Sequence, residues 1–502
     1  MESDKLSLEA RIHSGLRWAA MRQIVTGLVG TLGAVAYTHF IQPEDLGAYA
    51  LAALVYSGLF LLVQAPIRDA VVYFQERESE PAPGQNNTHS RAAFWLLAGI
   101  SAAAVLLVLI LAGLLGRLYH SPRSASLMRG MAIVFLFQAL AVVPAGLLLK
   151  RFRFALHEGL STIAELILLV GWVTLAALGF GPWSLVIPYL LSSLFWAAGT
   201  WTATRFRPWP APEASIFRQV ARFSRSLLGS KLLVYLSRNL DNAAVGTLGE
   251  KALGLYSFGE SQAEYFGIVV GETVAQIALP ALAAVQNQIE RLRGIFLDML
   301  RLTAAASLPM QVGALVLADL GIRLFLGEKW LGATTVFRAY LVLWLLRTLL
   351  HLGDSLTSAI GRPQLRLAFD LIQLPLFAAG TWFGLHAWGG IAGVAWALAI
   401  VRLAVGVTYL AAVLRLVRAE ARTVLRLLLP IALAGAGMGL GVQLARRLLP
   451  LENEAAKLGV LVVIGIGVYA GIFYALDSRG FRRVVRMVRD ILVPAKASNE
   501  EK

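Results

Sequence analysis

Residues 92–116 read AAFWLLAGISAAAVLLVLILAGLLG, twenty-five consecutive positions without a charge. As a helix this run extends about 37 Å, longer than the roughly 30 Å hydrocarbon core of a bilayer. It is apolar on every side, so a water-soluble bundle has no arrangement that buries it as one amphipathic face. Working outward with a window of about twenty residues, further stretches of this kind appear along the whole chain. They fall near 18–40, 46–66, 92–116, 127–149, 160–180, 183–204, 224–247, 253–282, 299–322, 333–358, 366–386, 389–413, 426–446 and 458–476. The pattern predicts an all-α integral membrane protein of about fourteen transmembrane helices.

Composition agrees with this reading. The 502 residues are 58% hydrophobic, with a mean hydropathy of +0.68, which excludes an ordinary soluble domain. The loops between spans are short and leave no room for a separate catalytic domain, so we expect no enzyme. There is no cysteine, and hence neither a disulfide framework nor a thiolate metal site; no metal or cofactor is expected. The net charge of +15 comes from lysines and arginines beside apolar spans. Anionic lipid and topology explain them there, and no nucleic-acid partner is implied. The polar first seventeen residues, with Leu8, Ile12 and Leu16 at helical spacing, lack the pattern of a cleaved signal, so the first span is expected to be retained.

The loops alternate between basic and non-basic. Lys150/Arg151/Arg153, Arg205/Arg207/Arg218/Arg222, Arg291/Arg293 and Arg415/Arg418/Arg422 lie on one presumed side. Pro43-Glu44-Asp45, Gly179-Phe180-Gly181-Pro182, Glu250-Lys251 and His386 lie on the other. About thirty basic residues fall inside and about nine outside, which predicts cytoplasmic termini. Arg117, Arg123 and Arg129 run against the bias. In the tail, Arg479, Arg482, Arg483, Arg486 and Arg489 alternate with Phe481, Val484, Val485, Val488 and Ile491. That spacing makes a basic amphipathic helix, suited to an anionic leaflet or to a solvated tail.

The chain repeats itself. Leu46-Gly47-Ala48-Tyr49 opens span 2 and Leu253-Gly254-Leu255-Tyr256 opens span 8, a shift of 253 − 46 = 207 positions. The turn Lys150-Arg151-Phe152-Arg153 before span 5 has its counterpart in Gly361-Arg362-Pro363 before span 11. Six spans separate the copies, so the halves share one orientation, related by an axis along the membrane normal. The expected organisation is an N-lobe over 1–204, a linker over 205–222, a C-lobe over 223–414, two appended helices over 415–477 and a basic tail over 478–502. Such repeats suit an alternating-access transporter. In the appended pair, Gly437/Gly441 and Gly467/Gly471 suit close packing.

A charge inside the membrane needs a partner or a wet cavity. In span 7, Lys231, Tyr235, Arg238 and Asn242 follow at steps of four, three and four, one helical face. Two cations about 10 Å apart on that face suit a large anionic headgroup, arginine matching phosphate with its planar fork. Arg238 also stands three residues before Asp241 and is able to form a structural clasp. Glu260, Glu264 and Glu272 share a face of span 8 and serve either charge balance or gating. Arg347, His351 and Asp354 share a face of span 10, a possible ion-coupling group or a helix–helix contact. Arg22 in span 1 and Arg68 at the end of span 2 are further candidates for the cavity. Pro144, Pro188, Pro309, Pro375 and Pro430 interrupt spans. No Walker A pattern occurs, so transport would draw on a gradient and not on ATP. Asn86-Asn87-Thr88 fits a glycosylation sequon but falls in a loop predicted to be cytoplasmic.

Several short motifs, in order, carry a family resemblance. They are Pro43-Glu44-Asp45-Leu46-Gly47-Ala48-Tyr49, Asn239-Leu240-Asp241-Asn242, Leu253-Gly254-Leu255-Tyr256, Leu279-Pro280-Ala281-Leu282, Gly327-Glu328-Lys329-Trp330, Gly361-Arg362-Pro363 and Gly393-Val394-Ala395-Trp396. With them the chain resembles the polysaccharide transporters, the Wzx-like oligosaccharide flippases of the multidrug/oligosaccharidyl-lipid/polysaccharide (MOP) exporter superfamily. The resemblance implies two six-helix lobes around a central cavity lined by spans 1, 2, 7 and 8. It also implies transfer of an undecaprenyl-diphosphate-linked glycan, for O-antigen, capsule or exopolysaccharide, across the bacterial inner membrane. Membrane lipids and a polysaccharide polymerase or other assembly proteins would be partners. Gln64-Ala65-Pro66-Ile67-Arg68 departs from the glycine-rich end of span 2 expected in that family. The rival readings are a MATE-like drug or cation antiporter and a polyprenyl-dependent membrane glycosyltransferase.

Overall fold

The computed structural model describes residues 33, 35–74, 88–151 and 153–492, and every regular element among them is helical. The chain divides into two compact units, Met1–Gly254 and Leu255–Lys502.

In the first unit, α1 (Pro43–Leu59) runs through a π-helical turn (Phe60–Gln64) into α2 (Ala65–Tyr73). The motif Pro43-Glu44-Asp45 is a helix start. Pro43 occupies the first turn, where its missing N–H costs nothing, and Asp45 closes a capping box with Gln42. Pro66 follows the π turn in the first turn of α2, where it has no N–H to donate to the carbonyl of Leu62. There follow α3 (Thr88–Leu118), α4 (Pro122–Lys150), α5 (Phe154–Ala177), α6 (Trp183–Thr204), α7 (Ala214–Gly246) and the first turn of α8 (Glu250–Ala283).

Helix α4 is the hub, packed against α1, α3 and α6. Small residues permit the approach: Gly130 lies against the Trp183 ring, where a Cβ would come within 2.8 Å of it. Helix α7, assigned by sequence to the second lobe, packs here on α1, α2 and α3. Its first turns bury Val220 among Ile67, Ala70, Phe94 and Phe206.

The second unit holds the rest of α8, then α9 (Ile289–Leu326), a 3-10 turn (Glu328–Ala333) and α10 (Thr334–Ala359). After them come α11 (Gln364–Phe383), a π turn (Gly384–Gly389), α12 (Gly390–Leu416), α13 (Ala421–Leu448), α14 (Glu454–Leu476) and α15 (Ser478–Leu492). Helix α10 is central and packs on α9 and α12. The α8 glycines Gly259, Gly267 and Gly271 lie directly on α10, Gly267 against the Trp344 ring. Trp330 of the 3-10 turn is fully buried, its ring 4.3 Å from that of Phe258. Helices α13 and α14 pack on each other and on α9. Of the four glycines expected between them, Gly437 and Gly441 do face α14, against Ile472 and Val468. Gly467 and Gly471 face open space, because α14 presents its branched side chains to the seam.

Nine helical stretches among the described residues are long and apolar enough to cross a bilayer. The count of fourteen is not reached by that measure. Helix α7 falls short because Lys231, Arg238 and Asp241 interrupt its apolar run. The interior prolines Pro144, Pro188, Pro309, Pro375 and Pro430 all lie within helices that continue through them.

Candidate functional site

The face read from the spacing of α7 is formed. Lys231 Nζ lies 3.1 Å from Asp69 Oδ2 on α2, both side chains half-buried. Tyr235, one turn on, donates from its hydroxyl to the Leu54 carbonyl at 3.2 Å and rests against Gly58. Arg238 is exposed and makes no ion pair among the described residues, Asp241 included. The clasp between Arg238 and Asp241 is therefore not formed. Asp241 is buried, and its Oδ1 accepts the backbone N–H of Asn242 at 2.9 Å. The face thus presents one cation held by a carboxylate and, about 10 Å along the axis, a second that is uncommitted.

Asp69 was not among the candidates, although it is the counter-ion of Lys231. Arg68, which was, sits 3.5 Å from the same carboxylate with half its side chain exposed. The π turn matters here. It adds a residue to the turn before Ala65 and so rephases every later side chain of that span by about 100°. Gln64, at the end of the π turn, is buried and donates to the Phe135 carbonyl at 3.0 Å, which anchors the irregular segment on α4.

The second unit has a denser charged group. Asp354 receives Arg347 at 3.7 Å, Arg366 at 3.4 Å and the Tyr409 hydroxyl at 2.9 Å. Arg366 also holds Asp370 at 2.7 Å and lies over the Tyr409 ring. Arg347 and Asp354 are thus brought together as the spacing on α10 implied. His351 lies parallel to the Trp344 indole, 6.1 Å between centroids. Arg366 and Tyr409 were missed, although the i, i+4 spacing of Arg366 and Asp370 signals the ion pair. On α8, Glu260 and Glu264 are half-buried one turn apart. Arg22 and the side chain of Glu272 lie outside the described residues.

No group of three or more His, Cys, Asp or Glu side chains suited to a metal ion occurs among the described residues. The charged side chains are thus gathered in two places, the α7–α2 pair with Arg238 beyond it and the network around Asp354.

These features define a helical, multi-pass membrane protein whose fold is similar to that of solved structures of the lipid II flippase MurJ and of a multidrug resistance MATE family transporter. More narrowly, the chain belongs to the family described as polysaccharide biosynthesis protein, which matches residues 38–335. It is 27% identical over 297 residues to the succinoglycan biosynthesis transport protein ExoT of Rhizobium meliloti (strain 1021), a match covering 59% of this chain and 58% of that one. It is 22% identical over 386 residues to the lipopolysaccharide biosynthesis protein WzxC of Escherichia coli (strain K12), covering 74% of this chain and 75% of that one. Among solved structures, the lipid II flippase MurJ in its inward closed conformation superposes with a TM-score of 0.74 at 14% identity, over 91% of this chain and 98% of that one. The match thus spans well under two thirds of the ExoT length.

Proposed function

We propose that the protein is a flippase, not an enzyme. It moves an undecaprenyl-diphosphate-linked oligosaccharide from the cytoplasmic to the outer leaflet of the bacterial inner membrane by alternating access, both termini being cytoplasmic. The observation that carries the reading is the α7 face, with Lys231 paired to Asp69 and Arg238 left exposed two turns further on. An arginine without a counter-ion at a membrane position is stabilised when an anion arrives, and a diphosphate or acidic sugar supplies one. In this reading Asp69 is the resting counter-ion of Lys231 and yields to the substrate's charge. Arg22 and Arg68 are further candidates for the same ligand, while Asp241, Glu260, Glu264 and Glu272 balance charge or gate. The relatives named for succinoglycan transport and lipopolysaccharide biosynthesis support a glycan cargo, and the lipid II flippase fold supports a lipid-linked one.

The test is Arg238→Ala in the native host. Surface glycan should be lost while the amount of protein in the membrane stays normal. Full surface glycan in that variant contradicts the reading, and altered drug susceptibility with intact glycan transfers it to the antiporter.

A further inference from the structure

The tail helix α15 plays no part in the site above, yet it is held in a defined place. Its start is capped by Asp477, whose Oδ1 accepts the Gly480 N–H at 2.8 Å and which also pairs with Arg301 of α9 at 3.5 Å. Arg483 pairs with Asp298, a second tie to α9. Phe481 packs edge-on against Phe473 and Tyr474 of α14, and Val484 joins the apolar cluster of α9, α13 and α14.

These ties use only part of the helix surface. At about 100° per residue, Arg479, Arg482, Arg483, Arg486 and Arg489 fall within one arc of roughly 120°, opposite Phe481, Val484 and Val485. Arg479 and Arg486 are exposed and make no ion pair among the described residues. Val485, on the apolar arc, remains half exposed, as do Tyr474 and Leu476 at the end of α14. An exposed apolar strip beside a row of arginines, fixed where a membrane span ends, fits the boundary between acyl chains and headgroups.

We infer that α15 is a docking surface for the anionic headgroups of the surrounding bilayer. The apolar strip enters the boundary, and Arg479 and Arg486 hold lipid phosphates while Arg483 and Asp477 keep the helix on α9. Zwitterionic lipid carries no net charge for the arginine row, so the contact selects acidic lipid.

The experiment uses the full chain in nanodiscs of phosphatidylcholine alone or with about one third phosphatidylglycerol. Amide exchange over residues 478–492 should slow in the acidic bilayer, by about fivefold for each arginine engaged, and 0.5 M salt should remove the difference. Arg479→Gln/Arg486→Gln should abolish it while leaving exchange in α9 unchanged, and should lower the phosphatidylglycerol that co-purifies. Equal exchange in both bilayers overturns the inference, as does a double variant that responds to acidic lipid like the wild type. Surface glycan is scored in parallel. Its loss in Arg238→Ala with a normal α15 response, or the reverse, separates this inference from the flippase reading.

Discussion

Gly47 and Gly254 stand at the same position in the two sequence repeats, and each meets the backbone carbonyl at the position four residues before the other. A Cβ on Gly47 would overlap the carbonyl oxygen of Glu250, and one on Gly254 would overlap that of Pro43. Pro43 and Glu250 are themselves 207 positions apart, so the contact is reciprocal. Lys251 and Glu44 close it at 3.5 Å. The starts of α1 and α8 thus touch backbone to backbone, which only glycine permits at this distance.

Alanine at either glycine must push two helix ends apart, because a backbone carbonyl, unlike a side chain, has no other rotamer to adopt. Gly47→Ala and Gly254→Ala should each destabilise the protein by about 1–3 kcal/mol, the usual range for overpacking. Thermal unfolding in detergent reads this directly. An unchanged midpoint in both variants would show that the contact yields without cost.

The Lys231–Asp69 pair separates structural from functional roles. Lys231→Met should stop glycan export, and Asp69→Asn should lower protein abundance by leaving a half-buried cation. The double variant Lys231→Met/Asp69→Leu should recover abundance, since an apolar pair replaces the ionic one, but not export. Recovered export would assign the pair to packing alone. Membrane abundance by immunoblot and surface glycan by lectin staining are the two readouts.

How much of this was legible in the chain depends on distance along it. The face of Lys231, Tyr235, Arg238 and Asn242 and the amphipathic arc of α15 follow from spacing within one helix, and spacing is what a sequence displays. Asp69 was hidden because its direction follows from the π turn at Phe60–Gln64, one helical turn earlier. The departure at Gln64-Ala65-Pro66 was visible, but its effect on side-chain phase was not. The partners of Arg366 lie on α10 and α12 as well as on its own helix, beyond what spacing within one helix displays. The repeat at Gly47 and Gly254 was plain as sequence, but only the fold brings its two copies into contact.

Pro66→Ala should test the π turn. Restoring an N–H at position 66 allows the regular ladder to Leu62, which removes the extra residue and turns Asp69 by about 100° away from Lys231. Export should fall as in Lys231→Met, with the chain still folded. Normal export would mean that the π turn is held by the Gln64–Phe135 bond instead of by proline.

In the second unit, Arg366→Gln leaves Asp354 with Arg347 and Tyr409 and strips Asp370 of its bidentate partner. The side chains are about a quarter exposed, so the expected loss of stability is about 2–3 kcal/mol, below that of a fully buried network. Tyr409→Phe removes one hydrogen bond and should cost about 1 kcal/mol. Arg366→Lys should recover only part of the loss, because an ammonium cannot make the paired contacts of a guanidinium. Unfolding midpoints of the three variants give the order; equal midpoints for Arg366→Gln and wild type would remove the network from the stability account.

The most direct test of the central claim is the leaflet in which lipid-linked glycan resides. In a deletion strain, total lipid-linked repeat units would be compared with the fraction reached by a membrane-impermeant glycosidase. The account predicts accumulation that the glycosidase cannot reach, reversed by the wild-type gene but not by Arg238→Ala. Repeat units fully accessible in the deletion strain would contradict it.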